Sequence, residues 1–169
     1  KPVGVTCTEK DRHAEKTIME AVGYPVRLTY AGRLDKDSDG LIILTNDGEL
    51  IQRMMRGANH HEKEYVVKVD REFTDDFLEK MSQGVYLKEL DETTRPCLAE
   101  RIGKYTFRIV LTQGLNRQIR RMCGCFGYKV RSLTRIRVMN IELDGLKSGA
   151  YRELEGEELT TLYHLCGMS

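Results

Sequence analysis

Long apolar runs and a signal-peptide pattern are both missing from this 169-residue sequence. No stretch approaches the ~20 apolar residues that a helix needs to cross a bilayer, which excludes a membrane-spanning helix. No signal-peptide pattern opens the chain, so we expect a cytoplasmic location. The first residues are Lys1-Pro2-Val3-Gly4, without an initiator methionine, and we expect the chain to be one domain of a longer protein.

The sequence also lacks the spacing of a metal site. Its five cysteines are odd in number and irregularly placed, which favours free, buried thiols in a reducing compartment. Cys123 and Cys125 are separated by one residue, whereas structural zinc sites use two to four. The acidic segment 35–40 matches the first half of a calcium loop, but Asn46 stands where a bidentate glutamate is required. We expect no metal ion.

Acidic residues are absent from one long segment of a nearly neutral chain. The formal net charge is +1, yet residues 101–141 contain ten basic residues and no acidic one. The basic residues are Arg101, Lys104, Arg108, Arg117, Arg120, Arg121, Lys129, Arg131, Arg135 and Arg137. Such segregation is typical of a surface that binds a polyanion, and arginine suits phosphate recognition. The alternative is that these side chains pair with acidic residues elsewhere in the fold.

Apolar periodicity and turn signals predict a mixture of strands and helices. Strands are expected at 3–6, 41–44, 64–69, 97–102, 105–112 and 128–139. Helices are expected at 14–22, 47–55, 74–82, 116–126 and 155–166, with a loop at 30–40. Asp47 and Thr74 are expected to cap the second and third helices. Because strands and helices intermix irregularly, we predict the α+β class with a largely antiparallel sheet.

The most informative segment is Gly32-Arg33-Leu34-Asp35-Lys36-Asp37-Ser38-Asp39-Gly40-Leu41. Its carboxylates lie on a glycine-flanked loop just before a buried strand, and catalytic groups concentrate on loops held by such a scaffold. The alternative is an ordinary turn in which Asp35 accepts hydrogen bonds from neighbouring backbone N–H groups.

Four segments together resemble the motifs of the pseudouridine synthases. The loop Gly32–Leu41 resembles their signature, and Lys1–Gly4 resembles their opening motif. Glu62–Tyr65 resembles their Lys-x-Tyr motif, and Gly114–Met122 resembles their third motif. The resemblance covers nearly the whole chain. It is greatest to the RsuA/RluB/RluE/RluF group, and within it to the F-type enzymes of large-subunit (23S) ribosomal RNA.

This resemblance implies an enzyme that isomerises a specific uridine of ribosomal RNA to pseudouridine, without a metal or an organic cofactor. It implies a central, mostly antiparallel sheet flanked by helices, with a cleft between subdomains at about 1–57 and 58–169. Residues 1–169 would form the catalytic domain, the S4-like RNA-binding domain of the family would be absent from this chain, and the protein would be a monomer. A non-catalytic RNA-binding module in ribosome assembly is the alternative.

The resemblance also implies roles for individual residues. Asp35 is the catalytic aspartate, acting on the sugar as a nucleophile or as a proton acceptor. It has to stay ionised in a dry crevice, which requires a nearby cation, and we expect Arg120 to supply it; a phosphate contact is the alternative for Arg120. Tyr65 is expected to stack on the flipped base, the alternative being a half-buried strand aromatic. Arg33 is expected to enter the RNA stack. The other residues expected to bind RNA are Asn116, Arg117, Gln118 and Arg121.

Overall fold

The structure is a computed structural model that describes residues 1–7 and 17–168. Its helices are α1 (Ile18–Val22), α2 (Gly48–Met55), α3 (Asp75–Gln83), α4 (Gln118–Cys125) and α5 (Gly156–Leu165), with a 3-10 turn at Gly57–Asn59. Its strands are β1 (Thr29–Ala31), β2 (Asp39–Gly40), β3 (Ile43–Thr45), β4 (Lys63–Val69), β5 (Tyr86–Leu87), β6 (Glu92–Thr93), β7 (Leu98–Arg101), β8 (Thr106–Leu111), β9 (Val130–Val138) and β10 (Ile141–Glu142).

A mostly antiparallel sheet forms the centre of the molecule. Its strands run in the order β10-β9-β4-β8-β7, and each neighbouring pair is antiparallel. The short strand β2 adds to β9 in the parallel direction. The pairs β1-β3 and β5-β6 form two small separate sheets. The predicted α+β class with a mostly antiparallel sheet is confirmed.

Local signals located several elements correctly. The Asp47 carboxylate accepts the N–H groups of Glu49 and Leu50 at the start of α2. Thr74 accepts the N–H of Phe77 at the start of α3. The strands predicted at 97–102 and 105–112 form as β7 and β8, which pair as an antiparallel hairpin. These predictions succeeded because a cap or a tight turn depends on residues only a few positions apart.

Three predicted elements differ from the structure. Residues 3–6 form no strand, because Thr6 makes a single bridge to Thr17. In place of the expected strand 41–44, the structure has β2 before residues 41–42 and β3 after them. The loop expected at 30–40 overlaps β1 at its start and β2 at its end. The fourth helix begins at Gln118 instead of 116, because Arg117 has the left-handed φ of 48°. In the first helix the described part begins at Ile18, and residues 14–16 lie outside the described residues.

Two apolar clusters hold the elements together. The first lies between α3, α4 and one face of β4, β8 and β9, and includes the fully buried Val67 and Phe107. The second joins α2, α5 and the residues around Val138. A hydrogen bond of 2.9 Å from the Tyr163 hydroxyl to Asp47 links α5 to the start of α2. The C-terminal residues therefore pack with the first part of the chain, while the division near residue 57 stays a prediction.

None of the helices that the structure describes is long and apolar enough to cross a membrane. All five cysteines are free thiols. Three of them are buried as expected, but Cys97 is half-buried and Cys125 is exposed.

We predict that only Cys125 of the native chain reacts quickly with Ellman's reagent at mildly alkaline pH. Burial raises the pKa of Cys97 to about 11 and that of Cys123 to about 12, so both stay protonated, and Cys7 and Cys166 are buried. Absorbance should show one fast thiol in the native chain, and Cys125→Ser should remove it. A fast phase that survives this substitution would contradict the burial described here.

Candidate active site

A cleft of ≈ 390 Å³ brings together three of the motif segments. It is lined by part of residues 32–41, the segment that follows β1 and runs through β2, which we name the Asp35 loop. It is also lined by β4 and by the segment that precedes α4. Asp35 and Tyr65 both line this cleft. Residues that are 30 positions apart in sequence thus face one space.

The side chain and backbone of Arg135 on β9 fix both ends of the Asp35 loop. Its Nε donates to the carbonyl oxygen of Leu41 at 2.9 Å, and its Nη1 donates to that of Arg33 at 3.2 Å. Its own carbonyl oxygen accepts the N–H of Leu41 at 2.8 Å. Arg135 is 1% exposed, so these bonds are protected from water. The sequence placed Arg135 only among the basic residues of a surface, and its burial was not foreseen.

Within the described residues, the arginine that pairs with Asp35 is Arg117, whereas Arg120, which we expected there, pairs with Asp37. Arg117 Nη1 lies 3.4 Å from Asp35 Oδ2. The side chain of Asp35 is 37% exposed, so it does not lie in the dry crevice that was expected. The prediction assumed a helix through residue 117, whereas Arg117 precedes α4 and has a left-handed backbone.

Arg120 instead contacts the middle of the Asp35 loop. Its Nη2 donates to the Asp37 carbonyl oxygen at 2.9 Å and to Ser38 Oγ at 3.3 Å, and lies 3.5 Å from Asp37 Oδ1. Arg117 donates two hydrogen bonds to the same carboxylate, at 3.0 and 2.9 Å. The hydrogen bond from Arg117, with the nearby charge of Arg120, lowers the pKa of Asp37. Sequence reasoning treated Asp37 only as part of a calcium loop and missed this role.

Tyr65 lies half-buried on β4 between β8 and β9. It is in register with Ile109 on one side and Arg135 on the other, and its ring packs against the first apolar cluster. Because side chains alternate along a strand, Tyr65 shares its face with Lys63 and Val67. One part of the ring is therefore held by the core while the residue borders the cleft.

The residues expected to bind RNA have different environments. Arg33 is exposed, and no acceptor for its guanidinium lies among the residues that the structure describes. Arg121 donates to the carbonyl oxygen and the side chain of Asn116, at 2.9 and 2.8 Å. Gln118 is 4% exposed and accepts the N–H of Leu115, so it shapes the loop before α4, which differs from the RNA contact we expected.

The basic segment is not one continuous RNA surface. Arg108 pairs with Glu64 and Glu100 at 3.3 and 2.7 Å, and Arg137 pairs with Glu62 and Glu64 at 3.2 and 3.0 Å. Two further pairs are Arg101 with Asp75 and Lys104 with Glu72. The sequence analysis gave pairing with distant acids as an alternative to RNA binding, and for these four cations that alternative is correct.

Within residues 1–7 and 17–168, no group of three or more His, Cys, Asp or Glu side chains could hold a metal ion.

A comparison with known families identifies this arrangement. Residues 1–124 match the family described as RNA pseudouridylate synthase. The chain belongs to the RNA pseudouridylate synthase family. The matched residues contain the Asp35 loop, Tyr65, Arg117 and Arg120. The resemblance inferred from the four motifs is confirmed.

Individual relatives agree with this assignment. The synthase chain is 46% identical to the dual-specificity RNA pseudouridine synthase RluF of Escherichia coli (strain K12), over 98% of this chain and 56% of that protein. It is 34% identical to ribosomal small subunit pseudouridine synthase A of Pasteurella multocida (strain Pm70), over 95% of this chain and 70% of the relative. A crystal structure of pseudouridylate synthase is similar with a TM-score of 0.88 and 30% identity, over 98% of this chain and 70% of that one. The chain spans about half the length of its RluF relatives.

We predict that Gly40→Ala destabilises the synthase chain and displaces the Asp35 loop. Gly40 has a φ of +121°, and a Cβ there would collide with the backbone carbonyl oxygen of Arg135. The backbone strain alone should cost about 1–3 kcal/mol of unfolding free energy. Urea unfolding and amide hydrogen exchange of residues 35–41 measure the two effects.

Gly48→Ala is the matched control. A Cβ at Gly48 meets no atom within 4 Å, and the residue is the first of α2, where alanine is the better helix former. Unfolding free energies and exchange rates that are equal in the two variants would contradict the close approach of β2 and β9.

Proposed function

We propose that this synthase chain isomerises a specific uridine of ribosomal RNA to pseudouridine, with Asp35 as the catalytic residue. The observation that carries the proposal is a carboxylate with an arginine partner, on a loop held at both ends, in the cleft that Tyr65 also lines. The third motif is most similar in sequence to that of the F-type enzymes, which favours large-subunit (23S) rRNA as the substrate. The alternative, a non-catalytic RNA-binding module, does not require this arrangement.

The proposed reaction is an isomerisation, in which the uracil changes its point of attachment to the sugar and no atoms are added. The C1′–N1 bond breaks, the base turns, and C5 bonds to C1′ while C5 loses a proton and N1 gains one. Because this exchange is redox-neutral, the proposal includes no cofactor and no metal. Asp35 acts as nucleophile toward C1′ or as proton acceptor on the sugar, and either role needs its ionised form.

RNA binding completes the site in this proposal. The Asp35 side chain is 37% exposed, and a bound RNA that covers the cleft would remove the remaining water. Uridine has to leave its stack before its sugar bond is accessible, which costs a few kcal/mol. The Tyr65 ring offers a surface on which the extruded base can stack. The proposal further includes a cytoplasmic, monomeric protein whose partner is rRNA and not a membrane.

We predict that Asp35→Asn lowers the rate of pseudouridine formation by at least about 10³-fold, as expected for loss of a nucleophile or base. The amide retains the shape of the side chain, so affinity for RNA should stay within about twofold of the wild type. Single-turnover assays on 23S rRNA with reverse-transcription mapping measure the rate.

The matched control for this substitution is Asp76→Asn, which removes an exposed carboxylate on α3 that pairs with Lys80. Wild-type turnover by Asp35→Asn would refute the assigned role. RNA binding by a wild-type chain that forms no pseudouridine would favour the non-catalytic module.

We predict that Arg33→Ala weakens binding of structured RNA by about 1–3 kcal/mol, the range measured for loss of one stacking contact. Arg33 is exposed beside Asp35 and can fill the gap that the extruded uridine leaves. The loss should shrink for an RNA in which the target uridine already lies in a single-nucleotide bulge, because no gap then needs filling.

Fluorescence anisotropy at 50 to 200 mM salt distinguishes this role from a phosphate contact. If Arg33 contacts a phosphate, Arg33→Ala should reduce the slope of the logarithm of the binding constant against the logarithm of the salt concentration by nearly one unit. The reduction should be equal for the stacked and the bulged RNA. Arg108→Ala is the control, because Arg108 is already paired with two glutamates. An equal loss for stacked and bulged RNAs would contradict the stacking role.

A further inference from the structure

Two cationic side chains that line the cleft have hydrogen-bond donors without acceptors among residues 1–7 and 17–168. Arg135 Nη2 is buried and has no partner among these residues, although the other nitrogens of the same guanidinium are bonded. Lys63 is half-buried, lines the same cleft, and its ammonium group has no acceptor within the described part of the chain. Unmade hydrogen bonds of buried charged groups are costly, so they indicate a ligand that supplies the acceptors.

The acidic residues around these cations are already engaged. Asp35 and Asp37 pair with the arginines of the third motif. Asp39 accepts a hydrogen bond from Thr134. Glu64 neighbours Lys63 in sequence but pairs with arginines on the opposite face of the sheet.

The charges of the two cations act on each other. Burial, and then the positive charge of Arg135, lower the pKa of Lys63. Two like charges in a half-buried site, with no counter-ion among the described residues, favour the binding of negative charge, because the ligand then offsets both their repulsion and their desolvation.

The position of the pair favours a base over a phosphate group. Lys63 and Tyr65 alternate on the same face of β4, and Arg135 is in register with Tyr65 on the neighbouring strand. A base stacked on Tyr65 would therefore present its edge to both cations. Arg135 is 1% exposed, and a phosphate group of the RNA backbone, which stays at the surface, does not reach such depth.

We propose that Lys63 and Arg135 bind the carbonyl oxygens of the extruded uracil and stabilise the negative charge that it carries after its bond to the sugar breaks. This inference rests on the proposed function. When the C1′–N1 bond breaks, its electron pair goes to N1 and is delocalised onto O2 and O4. At that stage C1′ is bonded to an Asp35 oxygen, or Asp35 holds a proton from the sugar.

The same charge is consumed when the new bond forms. C5 of the uracil anion supplies the electron pair for its bond to C1′, which releases the Asp35 carboxylate or returns the proton to the sugar. C5 then loses its proton and N1 takes one up. Donors placed at O2 and O4 act most strongly while the base is detached, so they lower the barrier without tightening the binding of intact RNA.

The test uses Lys63→Met, because Arg135 also holds the Asp35 loop and its loss would disturb the fold. Lys68→Met is the matched control: it removes the same charge from β4 at an exposed position. We expect Lys63→Met to lower the single-turnover rate by about 10²–10³-fold, the effect of losing one such donor. RNA affinity should stay within about twofold, Lys63→Arg should keep most of the rate, and Lys68→Met should match the wild type.

Thio-substituted RNA identifies the contacted atom. Sulfur accepts hydrogen bonds weakly, so target RNA with 2-thiouridine or 4-thiouridine should react more slowly with the wild type at the position that Lys63 contacts. In Lys63→Met, thio-substituted and unmodified RNA should react at the same rate, because the effects of two changes to directly interacting groups do not add. Equal thio effects in both proteins would refute the proposal. An unchanged single-turnover rate with weaker, less salt-dependent RNA binding would refute it too, by identifying a phosphate contact.

A binding measurement separates failure of this inference from failure of the proposed function. If the wild type forms no pseudouridine, the proposed function fails, and binding still tests the anion site. NMR titration at mildly alkaline pH should show that the wild type prefers 6-azauracil, which is more acidic and more fully ionised, over uracil. Lys63→Met should lose this preference. Absence of the preference in the wild type, or its persistence in the variant, would overturn the inference.

Discussion

The Asp35 loop depends on arginines that belong to distant parts of the chain. A two-residue strand, β2, gives the loop little support of its own. Arg135 supplies the missing bonds by donating to carbonyl oxygens at both ends of the loop. Arg117 and Arg120 hold the middle of the loop from the start of α4. These bonds position the Asp35 carboxylate before any RNA binds.

The charges around the loop are arranged with an excess of cations toward the cleft. Asp37 accepts two hydrogen bonds from Arg117, whereas Asp35 lies at a longer distance of 3.4 Å from the same guanidinium. A carboxylate that is ion-paired but not fully hydrogen-bonded retains free lone pairs for chemistry. The proposed anion site of Lys63 and Arg135 lies in the same cleft. In that proposal it binds the uracil anion, the second charged group of the reaction.

The opposite face of the central sheet has a different electrostatic character. There Arg108 and Arg137 share Glu64, and each has a second glutamate partner. These arginines are neutralised within the protein, so they contribute little to attraction of RNA. At the cleft, by contrast, the exposed Arg33 and the half-buried Lys63 have no acidic partner among the described residues, so in the proposed function positive charge lies where the base would enter.

Short-range signals in the sequence were sufficient for much of the fold. The caps at Asp47 and Thr74 and the β7-β8 hairpin follow from residues within a few positions of each other. The motifs also placed Asp35 and Tyr65 at one cleft, although their chemical roles stay proposals. Tertiary structure alone decided which arginine meets which carboxylate. Arg117 and Asp37 are 80 positions apart, and Arg135 and Leu41 are 94 apart. Such pairings depend on strand register and on the left-handed backbone of Arg117, and no local pattern of residue types encodes either.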